Sequence, residues 1–259
     1  MRKLLRVSDL GPGETRTITR PGVLTGRINV NAGGKLSIKG TSLRFSGKDT
    51  MIYVDKGILE LEGSYIKATD TCNCLIYIDS GTHVFTVNNC KFDGAGKAGI
   101  LFTWANMNSI NGCQFTNIFG RAIFEMGSGQ LQLKDTLFTH CNQEGDGAAI
   151  YGGRSYVILE NCKFIECKAN GKGGALTTSK LKASGCYFSY CSSSNGGGAI
   201  YSDYAGKDHI ELNNCTFNNC SSRSGGGIYI GSNLYRIGVD SENCTFSDCI
   251  PNNIEIKGG

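Results

Sequence analysis

Apolar and polar residues alternate in short runs along most of the chain. Leu36-Ser37-Ile38, Leu59-Glu60-Leu61, Leu131-Gln132-Leu133 and Leu181-Lys182-Ala183 each place every second residue on one face. That period of two predicts strands with one buried side. Five residues beyond each run stands another large apolar residue, Leu43, Ile66, and then Phe92, Phe115, Phe138, Phe164, Phe188, Phe217 and Phe246. Three residues before it the chain always carries Gly, Asn or Asp, from Gly40 and Gly63 to Asn214 and Asn243, the types that accept a left-handed backbone. A bend therefore recurs, followed each time by Cys, Ser or Thr. A second cysteine column, Cys141, Cys167, Cys191, Cys220 and Cys249, lies three residues past the Phe column. A glycine-rich bend and another short strand follow, as in Gly173-Gly174-Ala175-Leu176 and Gly197-Gly198-Ala199-Ile200.

The pattern repeats in nine copies at intervals of 23 to 29 residues. A unit of this length without helical period cannot bury its apolar face alone, but stacked copies can. The prediction is an all-β parallel β-solenoid of about nine to ten coils over 22–259, roughly 45 Å long at ~4.8 Å per coil. Residues 1–21, with Pro12, Gly13 and Pro21 among Arg6, Arg16 and Arg20, read as an N-terminal cap or attachment segment. The last residues, from Ile254 to Gly259, end as a short strand without a separate cap.

Gly-Gly-Ala-Ile units alternating with Asn-Cys-Thr-Phe resemble the repeats of chlamydial polymorphic outer membrane proteins. More broadly the pattern is similar to the right-handed parallel β-helix superfamily of pectate lyases and phage tailspikes. The resemblance spans about 22–259 and implies the handedness of the coil. It also implies the kinds of work that such rods do, as virion appendages, adhesins or polysaccharide-degrading enzymes.

Composition narrows these. Gly 37 against Pro 3 fits a turn-rich β architecture, and 40% hydrophobic residues suffice for a core. The net charge of +4, without a run of like charges, points away from nucleic acid. Arg6 and Asp9 interrupt the opening segment and no long apolar stretch follows, so neither a classical signal peptide nor membrane insertion is expected, which favours virion or cytoplasm. Eleven of the 13 cysteines fall in the two columns, leaving Cys72 and Cys74. They read as buried thiols acting as small hydrophobes, with no metal and no cofactor.

Catalytic signatures are sparse. Gly94-Ala95-Gly96-Lys97-Ala98-Gly99 matches a dinucleotide fingerprint but occupies the repeat's glycine bend. His83, His140 and His209 share no column. His140, Glu144, Asp146 and Arg154, on one longer loop, are the nearest approach to an acid–base group, yet nothing fixes the separation that glycosidase carboxylates need. Asn214, Asn219 and Asn243 match glycosylation sequons, two of them within the bend column.

One feature exceeds a scaffold. With Ile52, Ile76, Ile100, Ile123, Ile150, Leu176, Ile200 and Tyr229 read as inward, the next residue of each coil faces out. That places Tyr53, Tyr77, Leu101, Phe124, Tyr151, Thr177, Tyr201 and Ile230 on one outer face, a largely aromatic and aliphatic stripe extended by Trp104. A polar column is the norm there. Loops or the N-terminus could cover this stripe, an oligomer, a trimer above all, could bury it, or it could bind glycan or peptide. The reading is a non-catalytic structural or binding β-helix, a phage virion appendage or adhesin-like module, with homo-oligomeric, virion or surface-protein partners and a possible glycan ligand. A polysaccharide lyase or hydrolase and an intracellular binding scaffold are the alternatives.

Overall fold

The computed structural model describes residues 4–5, 7–82, 84–202, 210–231 and 239–257; His83 and His209 lie outside them. Its strands stack in three rows, and every pairing between coils is parallel. The first row runs from Thr15–Ile18 through Lys35–Lys39 and Ile58–Glu62 to Val239–Glu242. The second runs from Gly22–Leu24 to Thr245–Ser247, and the third from Arg27–Val30 to Ile254–Ile256. Strands Ile150–Glu160 and Leu176–Ser184 pass unbroken from the third row into the first, so the two rows form one sheet. No helix occurs among the described residues, and about nine turns make the rod. Residues 4–5 and 7–14 run along the edge of the first coil, where Leu4 and Leu10 bridge to Val23 and Val30.

The register follows the repeat, with Leu36 beside Leu59, Ile38 beside Leu61 and Phe92 beside Phe115. Side chains of one kind therefore stack. From Phe92 to Phe246 the rings form a continuous ladder with centroids 4.7–4.9 Å apart and planes within 15°. The bend column is left-handed throughout the rod, from Gly40 (φ 56) and Asn89 (φ 53) to Asn243 (φ 51).

The residue after this bend has a second duty that small size alone does not explain. Its amide is at a corner where backbone pairing breaks, and the same position of the next coil supplies the acceptor. Cys90 N donates to Cys113 Sγ at 3.4 Å, and Cys113 N to Thr136 Oγ1 at 3.4 Å. From Ser64 to Cys244 the side chain in turn donates to the carbonyl two residues before it, as Cys113 does to Asn111 (3.2 Å) and Thr136 to Lys134 (2.9 Å), while the Thr41 hydroxyl of the first copy has no partner. Only a small donor–acceptor satisfies both, which restricts the column to Cys, Ser and Thr. All 13 cysteines are free thiols, and burial pushes Cys90 up to about 11 and Cys113 up to about 12.

A second left-handed column, at the residue before the second cysteine column, carries Asn117, His140, Glu166, Tyr190, Asn219 and Asp248, all with φ of 50–53. Asn tolerates this conformation, whereas Tyr carries a cost. Tyr190 is 57% exposed, so its ring gives little packing in return. Tyr190→Asn is expected to raise stability by about 0.5–1 kcal/mol, read as a higher urea midpoint with an unchanged slope.

Candidate functional site

The outward face of the third row carries Tyr53, Tyr77, Phe102, Phe124 and Tyr151 in consecutive coils. Leu101, expected in this column, is not in it. It pairs with Ile76 and Ile123 and is 3% exposed, facing the core. The cause is local: Ile100 fills the buried place that Ala122 and Ala149 hold in the following coils, so the strand's alternation starts one residue later. The same shift makes Ile228 and Ile230 the inward pair and puts Tyr229 outside, against Tyr201. Thr177 interrupts the row between Tyr151 and Tyr201. Tyr201 is itself 5% exposed, stacked on Tyr229 at 5.4 Å beneath the Lys172 ammonium.

The rings pack on one another. Tyr53, Tyr77 and Phe102 stack at 5.1 and 4.7 Å, and Phe124 then turns edge-on, 88° from Phe102 and 77° from Tyr151. Arg27 covers Tyr53 at 3.9 Å, and Arg121 covers Phe124 at 4.4 Å and Tyr151 at 5.0 Å. The Tyr53 hydroxyl bonds the Asp79 carboxylate, which pushes its pKa up to about 12. The faces are largely occupied; edges and hydroxyls remain.

Two concavities flank the row. One, of about 400 Å³, lies between Cys72, Lys97, Phe102, Phe119, Arg121 and Phe124. The other, of about 460 Å³, is walled by Trp104, Met126, Tyr151, Arg154 and Thr177. Trp104 leans against Phe102 at 6.2 Å with its plane 53° away.

Beneath the second concavity the core holds a polar knot that the sequence reading passed over. Thr103, Asn108, Glu125 and Ser155 are each 0% exposed. Asn108 Nδ2 donates to Glu125 Oε2 (2.5 Å) and to the Ala105 carbonyl (3.2 Å), Gly127 N donates to Glu125 Oε1 (2.7 Å), and Thr103 Oγ1 donates to Asn108 Oδ1 (2.9 Å). The Thr103, Asn108 and Glu125 side chains satisfy backbone groups of two corners, Trp104–Asn106 and Met126–Gly129, from inside, and the Ser155 hydroxyl contributes none of these bonds. Burial pushes the Glu125 carboxyl up to about 8. A signal was present: Asn108 is the polar member of the column Leu36, Leu59, Phe85, Leu131, and Glu125 follows Val54, Ile78 and Thr103.

The acid–base group of the long loop does not converge. His140 pairs with Glu166 at 3.1 Å, Glu144 accepts from Asn170 Nδ2 at 2.6 Å, and Asp146 accepts from the Lys172 amide at 2.8 Å. Arg154 lines the Trp104 concavity, away from His140. Gly94–Gly99 is a turn held to the next coil by Gly96 N on the Asn117 carbonyl (2.6 Å).

Three rows of in-register parallel strands around an aliphatic and Phe-filled interior define a parallel β-helix. A family model described as a right-handed β-helix region matches residues 26–180 and 109–259, and the chain belongs to that family. No curated protein matches it. The pectate lyase-like resemblance agrees with this assignment.

Proposed function

We propose that the protein is a rigid, non-catalytic binding rod of the virion-appendage or adhesin-like kind, and that it docks protein along the outer aromatic row: a further copy of itself in a trimer, or another virion or surface protein. The row's self-stacked geometry carries the reading. Carbohydrate stacks on open ring faces, and here neighbouring rings, Arg27 and Arg121 occupy those faces. Pre-ordered aromatic edges, tyrosine hydroxyls and arginines make up the composition that dominates protein interfaces, and their rigidity lowers the entropy lost on docking.

One observation favours a second reading, glycan recognition at the other concavity. Trp104 stands beside Arg154, Thr177, Thr178 and Ser179, a large ring with hydroxyl and cationic groups around it. Glycoside cleavage has less support, because Glu144 and Asp146 are each engaged by the following coil.

Native mass by light scattering tests the proposal. The wild-type rod is expected as a multiple of the chain that Tyr53→Ser/Tyr77→Ser reduces to a single chain. A single chain in both proteins, with glycan retention lost on Trp104→Ala, would replace the first reading by the second.

A further inference from the structure

We propose that the concavity of Phe102, Phe119, Arg121 and Phe124 receives the carboxylate of an acidic side chain on a protein partner, with Arg121 as its anchor; this rests on the reading that the row docks protein. Arg121 is half-buried, and burial lowers its pKa. Its Nε donates to the Asp146 carbonyl at 2.9 Å, while the Asp146 carboxylate is engaged by the Lys172 amide. Among the described residues no carboxylate forms an ion pair with Arg121. A guanidinium has five N–H donors in a planar fork that matches a carboxylate in two parallel bonds. The Asp146 carboxylate acts on the guanidinium only from beyond ion-pair distance; removing a cation from water with so little compensation is costly, and an incoming carboxylate offsets that cost.

The rest of the concavity fits the same ligand. Lys97, held by its Nζ on the Thr69 carbonyl at 3.1 Å, adds a second positive charge to the lining. Burial pushes the thiols of Cys72 and Cys74 up to about 11 and about 12, so they stay neutral and do not repel an anion. Phe119 is 45% exposed and, with Phe102 and Phe124, offers an apolar wall. A volume of about 400 Å³ suits one or two side chains. A small inorganic anion would leave that wall in water. A sugar ring would need open faces, yet Phe102 is stacked on Tyr77 and Phe124 is covered by Arg121 itself.

The test titrates the whole chain with capped peptides and follows the Arg121 Nε–Hε signal by NMR. Acetyl-Phe-Glu-Leu-amide is expected to move it saturably and to bind at least tenfold more tightly than acetyl-Phe-Gln-Leu-amide. Arg121→Lys, which keeps the charge and loses the fork, should weaken the Glu peptide at least tenfold; Lys97→Gln, at an exposed site, should weaken it several-fold without disturbing the fold. Equal binding of the two peptides, no saturable shift, or glucuronate binding as tightly as the Glu peptide would each overturn the assignment, the last in favour of a saccharide. If the Glu peptide binds while Tyr53→Ser/Tyr77→Ser leaves assembly unchanged, the row reading fails and this site stands. The converse pattern removes this site alone.

Discussion

Glu125→Gln is expected to abolish a pH dependence of several kcal/mol, leaving the variant more stable than the wild type at pH 8 and less stable at pH 4.5. In the folded chain the carboxyl is fully buried and titrates near 8, against 4.5 for the ordinary group. Between those values the folded state binds one more proton than the unfolded chain, so stability falls as pH rises, by ~1.4 kcal/mol per pH unit or about 4–5 kcal/mol in all. The contribution is complete below about 4.5 and is lost by about 8. Gln cannot ionise, so the variant lacks this slope; its carbonyl still accepts from Gly127 N, but its NH2 then faces the Asn108 Nδ2 donor, and this lost buried bond costs about 1–3 kcal/mol at every pH. Urea unfolding of both proteins at pH 4.5, 6, 7 and 8 measures the difference directly. Carboxylates held low by partners, such as Glu60 at about 2 beside Lys35, Ser37 and Lys39, act in the opposite sense and below this window. They cancel in the comparison. Parallel profiles for the two proteins would mean that water reaches Glu125 and that the corner opens around it.

The columns that read clearly from the chain are those in which every coil obeys one physical rule. A left-handed bend admits Gly, Asn and Asp, and the nine predicted positions all adopt it. The Phe column must fill the same internal width at each level, and it stacks as predicted. Legibility ends where one coil departs from its neighbours. At Gly99-Ile100-Leu101 two successive aliphatic residues are both buried, which a period of two cannot describe; Ile100 takes the corner place of the neighbouring coils' alanines, Leu101 the inward strand place, and Phe102 joins the outer row. The second left-handed column escaped because His140, Glu166 and Tyr190 are poor residues for that conformation, held in it by the register of the coils above and below. Asn108 and Glu125 were hidden for a related reason. An average over nine copies hides Asn108 among apolar residues and Glu125 among the hydroxyls of Thr103, Thr178 and Ser202, and here these two exceptions carry the chemistry.

The second large effect tests whether the stacked interior behaves as a continuous solid. Phe164 is 0% exposed, between Phe138 at 4.9 Å and Phe188 at 4.8 Å with planes 2° and 3° apart. Truncation to Ala removes the transfer energy of a buried ring and leaves a void that coils held in register cannot close, so Phe164→Ala should cost about 3–5 kcal/mol. Two ring–ring contacts are lost as well, each worth about 0.5–1.5 kcal/mol beyond area. Phe246 stacks on Phe217 alone and is only partly buried. Phe246→Ala is therefore expected to cost less than half as much. Hydrogen exchange separates a local from a global response: in a one-dimensional stack the loss at Phe164 should reduce protection on both neighbouring coils, while the loss at Phe246 should stay within the last one. Equal costs at the two positions would show that the ladder's ends are packed as tightly as its middle, and that the final coil is covered by a surface other than its own.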